Sequence, residues 1–339
     1  MSKKNSSVNL KNGFKSFKDL SNIFQNFKNK LDRLNKKSYT VAVSGGPDSL
    51  ALVALSKAYS YKKKTKFSYV LVDHNIRKNS AKEAEQVKKL LKKSQLNLNI
   101  ILNKKKITSN IQGQARNIRY EILSNYCRRN KINTLLTAHN LEDQVETFFI
   151  RLSRGSGLKG LSAMKALSKI DNKINLYRPL LDIKKKFLIK ISKNIFGKYF
   201  NDPSNKNIKY LRTKVRNLRR PLESSGIKYE QIFKSIQNLS SSEETLQNYM
   251  GKIFKKLITI KKNQIFINYK KYKILNNDIK IALINHSVKK LKNNYYDLRS
   301  KKVIYLINAL NKKVFKKATL GGCIFFKKGG NLCLKDEKF

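Results

Sequence analysis

Residues 39–43, Tyr-Thr-Val-Ala-Val, form a short apolar run, and Ser44-Gly45-Gly46-Pro47-Asp48-Ser49 follows at once. Leu50 to Leu55 then reads as the start of a helix. A strand, a tight glycine turn and a helix in that order make an anion trap. Glycine lets the backbone approach a ligand closely, and successive N–H groups at a helix N-terminus point at negative oxygens. Ser44 and Ser49 add hydroxyl donors. Asp48 adds a carboxylate, which repels a bare anion but suits a Mg²⁺ lying between it and phosphates. The stretch Ser44, Gly45, Gly46, Pro47, Asp48 and Ser49 therefore reads as a nucleoside-triphosphate site. It is not a Walker A loop, because no Lys occurs between Tyr39 and Ser56 to give the Gly-Lys-Ser/Thr ending.

From Tyr39 onward strands and helices alternate. The pattern predicts strands over 39–43, 67–72, 97–102 and 133–137, and helices over 49–59, 80–93, 112–129 and 141–153. Such alternation predicts an α/β fold with a parallel sheet covered on both faces. Ligands in these sheets bind at the carboxyl ends of strands, which puts Ser44, Asp73 and Thr137 on one rim. Upstream, residues 1–12 read as a tail. Phe14, Phe17, Leu20, Phe24, Phe27, Leu31 and Leu34 then recur at spacings of three and four, the face of an amphipathic helix. A targeting helix lacks acids and this one carries Asp19 and Asp32, so a helix docked on the next domain is expected. Past Pro221 the signal weakens to mainly helical stretches. The chain closes with Gly321-Gly322, an apolar run Cys323 to Phe326, Gly329-Gly330 and Leu332 to Leu334, which read as a β-hairpin. The expected division is 1–38 for tail and helix, 39–220 for the nucleotide domain and 221–339 for a smaller, mainly helical, basic domain.

Over 339 residues, 75 Lys and Arg stand against 21 Asp and Glu, a net charge of +54. Such a field draws polyanions and speeds their encounter, which makes nucleic acid the first candidate partner. Cys127, Cys323 and Cys333 form no CxxC pair, so neither a disulfide framework nor a zinc site is indicated, and a reducing cytoplasm suits them. No run of eighteen apolar residues exists, so no membrane partner is expected. The N-terminus has no apolar core of a secretory signal.

Three further motifs fall on the expected rim. Val72-Asp73-His74-Asn75-Ile76-Arg77 ends the second strand, where an acid serves a ribose hydroxyl in dinucleotide enzymes. His74 and Arg77 beside Asp73 suggest contacts to an adenosine or to a second substrate. Ala115-Arg116-Asn117-Ile118-Arg119-Tyr120 puts Arg116, Arg119 and Tyr120 on one helix face, suited to phosphates or an RNA backbone. Thr137 to Thr147 runs from a strand end into a helix with His139, Asp143 and Glu146 on one face. Three acids in this short stretch beside a phosphate site ask for a cation or a proton transfer. Arg212, Arg216 and Arg219 follow a turn-rich stretch and face either the triphosphate or RNA phosphates. Gly155-Ser156-Gly157-Leu158-Lys159-Gly160 matches GxGxxG but follows a helix, so it reads as a helix stop and a loop.

The loop resembles that of the N-type ATP pyrophosphatases, SGGxDS. Together with ARNIRY, the stretch 137–160, Arg178-Pro179-Leu180-Leu181 and the run from Asp202 to Arg216, the chain resembles the tRNA(Ile)-lysidine synthetase family from Val41 to Arg220. The resemblance implies a Rossmann-like doubly wound parallel sheet of the adenine nucleotide alpha hydrolase type. It also implies ATP and Mg²⁺ as cofactors, and L-lysine and a CAU-anticodon tRNA(Ile) as partners. The reaction it implies has two steps: O2 of the cytosine attacks the α-phosphate of ATP, and the lysine ε-amine then displaces AMP. The resemblance makes Asp48, Asp143, His139, Glu146 and Arg116 catalytic, with Asp143 as first candidate for the base. It puts the nucleotide on 44–49 with Asp73 and His74, the metal on Asp48 and Asp143, and RNA on Arg77, Arg119, Tyr120, Arg212 and Arg216. A homodimer is an expectation of the resemblance alone.

Three positions depart from the family pattern. Asn140 stands for a second His, Glu142 for the first Asp of a pair, and Asn75 for a glycine. Asn tolerates the left-handed backbone that glycine would supply. Competing readings are a tRNA thiolation enzyme, against which the cysteine pattern speaks, a small-molecule ligase with no use for so much charge, and a non-catalytic RNA binder.

Overall fold

The computed structural model describes residues 18–77, 79–108, 111–201, 210–261, 263–292, 298–312 and 314–337. Phe14 and Phe17 of the expected amphipathic face, and the turn Asp202-Pro203-Ser204-Asn205, lie outside the described residues. The chain divides into two compact units, residues 1–240 and 241–339.

The first unit opens with α1 (Lys18–Leu34), which buries Leu20, Ile23, Phe24, Phe27 and Leu31 in the main core. All but Ile23 belong to the expected apolar stripe, so the helix docks as its period requires. Tyr59 donates to Asp32 at 2.8 Å, which fastens the helix's last turns. Then come β1 (Ser38–Val43), α2 (Pro47–Lys62), β2 (Lys66–Asp73), α3 (Ser80–Lys93), β3 (Leu98–Leu102), α4 (Ile111–Arg129), β4 (Thr134–Leu136) and α5 (Leu141–Leu152). A short α6 (Leu158–Leu161), β5 (Leu167–Lys169), β6 (Asn175–Tyr177), α7 (Lys185–Phe196), α8 (Leu211–Asn217) and α9 (Arg219–Ser224) complete this region. The sheet order is β3-β2-β1-β4-β6-β5, parallel throughout except for β5 against β6. Alternation along the strands sends side chains to two faces. Tyr39, Val41, Tyr69 and Leu71 join the core beneath α1, α2, α3 and α7, whereas Val70 and Leu135 pack with Leu123 and Cys127 of α4. The order reverses between β1 and β4, and a crevice opens there at the carboxyl ends.

A helix, α10 (Tyr229–Leu257), runs across the division between the units. Its first turns pack Tyr229, Ile232 and Ile236 on Leu141 and Val145 of α5, so the first unit extends past Pro221. Periodicity missed this because the contacts join segments far apart in sequence.

The second unit holds β7 (Ile258–Lys261), β8 (Gln264–Asn268), α11 (Tyr269–Lys273), α12 (Asn277–Lys292), α13 (Ser300–Leu310), β9 (Lys317–Leu320), β10 (Cys323–Lys328) and β11 (Asn331–Asp336). The expected closing hairpin, β10–β11, is part of a five-stranded antiparallel sheet ordered β7-β8-β11-β10-β9. Its two glycine pairs are two-residue turns with positive φ, 63° and 70° at Gly321-Gly322, and 54° and 73° at Gly329-Gly330. That is the backbone hand that joins twisted strands. Phe325, Leu332 and Leu334 of the sheet bury against Leu283, Val288, Val303 and Leu306 of α12 and α13. Among the described residues, no helix is long and apolar enough to cross a membrane.

Candidate functional site

The loop 44–49 leaves the end of β1 and enters α2, with Gly46 as N-cap and Pro47 in its first turn. Gly46 has no side chain to occupy the helix end, so the first N–H groups of α2 stay available to a ligand. Gly45 has φ +79°, and a Cβ there would lie 2.5 Å from Val87 Cγ2. Ser49 Oγ donates to Gly46 O at 3.0 Å and accepts from Ser44 N at 3.2 Å, which ties the loop into a ring. Phe200 N donates to Gly45 O at 3.0 Å, so the chain after α7 returns to brace the loop.

Asp48 is part-buried as a residue, but its Oδ1 is sealed and has no hydrogen-bond partner. Burial pushes its carboxyl up to about 7, Lys185 opposes the rise, Asp143 adds to it, the Asn140 side chain opposes it, and Glu142 adds to it. A buried, unpartnered carboxylate oxygen is a ligand suited to a hard cation, although among the described residues no group of three or more His, Cys, Asp or Glu is gathered to hold a metal.

Across the crevice, β4 ends at Thr137-Ala138-His139 and α5 begins. Asn140 is its N-cap. Asp143 N donates to Asn140 Oδ1 at 2.9 Å and Asn140 N donates to Asp143 Oδ2 at 3.0 Å, a reciprocal capping box. The departure at Asn140 thus places a strong N-cap residue where the helix needs one. The acids of α5 do not stand free. Arg212 donates to Asp143 Oδ1 at 2.5 Å and to Glu146 Oε2 at 2.7 Å, and Arg216 donates to Glu146 Oε1 at 2.7 Å. Arg219 reaches Glu142 Oε1 at 3.4 Å. Helices α8 and α9 therefore set an arginine ladder against the acids. Glu142, the second departure, uses its longer arm to accept from Lys185 N at 2.8 Å, at the start of α7.

His139 sits behind this row, with Nδ1 3.0 Å from Thr137 Oγ1. Burial drives its pKa down to about 3, and the cations Arg178, Arg116, Arg212 and Arg119 reinforce that. It is a neutral imidazole at neutral pH. His74 falls to about 4 through burial and then through Arg119, whose Nε donates to His74 Nε2 at 3.2 Å, while Asp73 opposes the fall. Asp73 is buried and accepts from Asn75 N at 2.9 Å. Asn75 has φ +52°, the left-handed conformation expected of it. Arg116 lies over the Tyr120 ring at 5.1 Å, so those two share a face as their spacing requires. Arg77 pairs with Glu83 at 3.0 Å.

One rim thus carries the loop 44–49, Asp73–Asn75 and Thr137–Asp143. Arg116 and Arg119 border it electrostatically through His139. Lys185 and Arg178 were not among the expected site residues. Lys185 stands within Lys184-Lys185-Lys186, where sequence offers no spacing to single one out. Arg178 is buried at the end of β6 and donates to Lys165 O and Ser168 Oγ at 2.8 and 2.9 Å. The sequence 155–160 is a helix stop, with Gly155 at φ +65° and Gly157 as N-cap of α6.

The family model of the PP-loop domain matches residues 18–222. The tRNA(Ile)-lysidine synthase of Wolbachia pipientis wMel is 34% identical over 324 residues, 94% of this chain and 75% of its own length. That of Orientia tsutsugamushi (strain Boryong) is 42% identical over 194 residues, 57% of this chain and 43% of its own. That of Ruegeria pomeroyi is 31% identical over 290 residues, covering 85% and 68%. Among solved structures, the U34-tRNA thiolase NcsA from Methanococcus maripaludis with its 4Fe-4S cluster aligns with a TM-score of 0.55 at 19% identity, over 66% of this chain and 80% of that one. That likeness is one of fold alone.

Proposed function

Because the chain belongs to the tRNA(Ile)-lysidine synthase family and carries its PP-loop ATP-binding domain, we propose that it joins L-lysine to C2 of the wobble cytidine in a CAU-anticodon isoleucine tRNA. The enzyme is an ATP-dependent ligase that forms a C–N bond. Cytosine O2 attacks the α-phosphate of ATP, the bond to the β-phosphate breaks and pyrophosphate leaves. The exocyclic O2, a poor leaving group by itself, departs afterwards as part of AMP when the lysine ε-amine attacks C2. That amine is protonated in water, with a pKa of about 10.4, so a carboxylate must take its proton.

The observation that carries this reading is the meeting of two motifs across the β1/β4 crevice. The carboxylate of the ATP loop, Asp48, faces the start of α5 with Asn140 and Asp143. Asp48 would hold Mg²⁺ through its sealed Oδ1, with Asp143 the second acid of the set. Bound there, Mg²⁺ would neutralise charge on the phosphates. Asp143 is the proton acceptor in this proposal, and Glu146 and Arg212 support it. The incoming ammonium offers Asp143 Oδ1 the positive charge that Arg212 now supplies at 2.5 Å. Neutral His139 and Arg116 face the adenylated base, with the nucleoside on Asp73 and His74. Arg77, Arg119 and Tyr120 contact RNA. Residues beyond 221 grip the tRNA body. A sulfur-relay chemistry finds no support, since all three cysteines are buried and none stands in a CxxC pair or beside the loop 44–49.

The test supplies ATP, Mg²⁺, labelled L-lysine and transcribed tRNA. Label entering the tRNA only with ATP and only with cytidine at the wobble position is the expected result. Asp143→Asn should lose transfer by two or more orders of magnitude while tRNA affinity stays. Full activity in that variant would sink the proton-acceptor role. Pyrophosphate release without lysine transfer would point to another nucleophile.

A further inference from the structure

The loop 44–49 contains no Lys, yet a triphosphate brings about four negative charges, more than one Mg²⁺ neutralises. A cation must come from another element. The start of α7 is placed for it. Leu188 and Ile191 of α7 lie in the same buried core as Leu50, Ala51 and Leu55 of α2, the helix that begins at the loop. Glu142 fixes the first residue of α7 by accepting from Lys185 N at 2.8 Å. A cavity of about 230 Å³ opens there, walled by all of Lys184, Lys185 and Lys186 together with Glu142, Arg219 and Glu230.

Three consecutive lysines stand at this point, and their surroundings separate them. Lys184 is spent on Glu230 at 2.5 Å. Lys186 is exposed and lies over the ring of its neighbour Phe187 at 5.1 Å. Among the described residues Lys185 forms no ion pair, and its N–H bond to Glu142 sets it beside the start of α5, on the rim that also carries the loop 44–49. Arg219, the fourth cation of the wall, is divided between Glu223 at 2.9 Å and Glu142 at 3.4 Å.

We infer that Lys185 is a phosphate-binding residue of the ATP site, contacting the β- and γ-phosphates that depart as pyrophosphate, and that Glu142 positions it. This rests on the proposed ATP-dependent ligation and assigns to it a residue outside the loop. Lysine serves as a point charge on a phosphate in Walker A loops, and here the same charge arrives from a different helix.

The experiment compares wild type, Lys185→Met, Lys185→Arg and Lys186→Met. It uses titration calorimetry with α,β-methylene ATP and Mg²⁺, with AMP in parallel, and tRNA binding as the independent readout. Losing one charged contact corresponds to about ten- to a hundredfold in affinity. Lys185→Met should weaken binding of the triphosphate by that factor, leave AMP and tRNA affinities unchanged, and be largely restored in Lys185→Arg. Lys186→Met, the same charge loss one residue away, should bind as wild type does. Unchanged triphosphate affinity in Lys185→Met overturns the assignment, as does an equal loss for AMP or in Lys186→Met. Should Lys185→Met fail to fold, Lys185→Gln serves the same comparison. Wild-type protein that binds the triphosphate but releases no pyrophosphate with tRNA and lysine would overturn the ligase reading instead.

Discussion

Asp48 is held against its own ionisation. Its carboxyl titrates at about 7 instead of 3.8, chiefly because burial strips water from it. A raised pKa means that the folded state binds this proton more tightly than the unfolded chain does. The stabilising contribution is complete below about pH 4 and disappears as the pH rises through about 7. Asp48→Asn is neutral throughout and should abolish that slope. The stability difference, variant minus wild type, should grow by about 2 kcal/mol between pH 4 and pH 8, the full linkage being discounted for partial exposure. Urea unfolding of both proteins at those two pH values measures it. The depressed His139 acts oppositely, losing stability as the pH falls from about 6.5 toward about 3, but both proteins share it and it cancels in the difference. A pH-independent difference would mean that Asp48 ionises freely. The loop residues themselves were legible from sequence, because glycine and a helix start dictate backbone shape locally. Asp143 opposite Asp48 was expected from the family resemblance, but Asn140 and Lys185 beside it were not, because they arrive from elsewhere in the chain and no spacing in the sequence points them at the loop.

Helix α7 shows how one element is held at its end by another. Its N-cap, Lys184, offers no side-chain hydrogen bond, and Glu142 from α5 accepts the first N–H in its place. A carboxylate at that end also meets the positive pole of the helix. Glu142 is 7% exposed, so the contact is shielded from water. Glu142→Asp shortens the arm by one methylene and should break this cap, costing about 1 kcal/mol and lowering Tm by about 2–4 °C. Glu142→Gln keeps the acceptor and should lose less. Thermal unfolding of the pair decides it, and equal Tm values for Asp and Glu would show that the backbone contact contributes nothing. The strand and helix periods announced β1 to β4 and α1 to α5 because each carries its own pattern. The short β5 and β6, at three residues each, hold too few residues to display a period. The arginine ladder was equally hidden. Arg212 meets Glu146 across 66 positions and Arg219 meets Glu142 across 77, and spacing within one helix carries no trace of such pairs.

At the scale of the molecule, the charge of +54 is the property that local motifs do not explain. Within the first unit, the arginines nearest the crevice are partly spent. Arg212, Arg216 and Arg219 neutralise Glu142, Asp143 and Glu146, so the ladder adds little to the field felt by a polyanion. The excess is instead spread along the whole chain: residues 1–240 carry 52 Lys and Arg against 15 Asp and Glu, and residues 241–339 carry 23 against 6. Binding of tRNA should therefore be governed by counterion release, with affinity falling by about three orders of magnitude or more between 50 and 200 mM salt. Base recognition should add a term that salt does not move, since it rests on contacts to an unstacked base. The measurement is tRNA affinity against salt concentration for two transcripts that differ only at the wobble base. Parallel lines separated by a constant offset are the expected outcome: one slope set by the basic surface, one offset set by the crevice. A shallow slope would leave the excess lysine without an RNA role. Coincident lines with transfer confined to the cytidine transcript would place discrimination in the adenylation step, at the loop and α5, and not in binding.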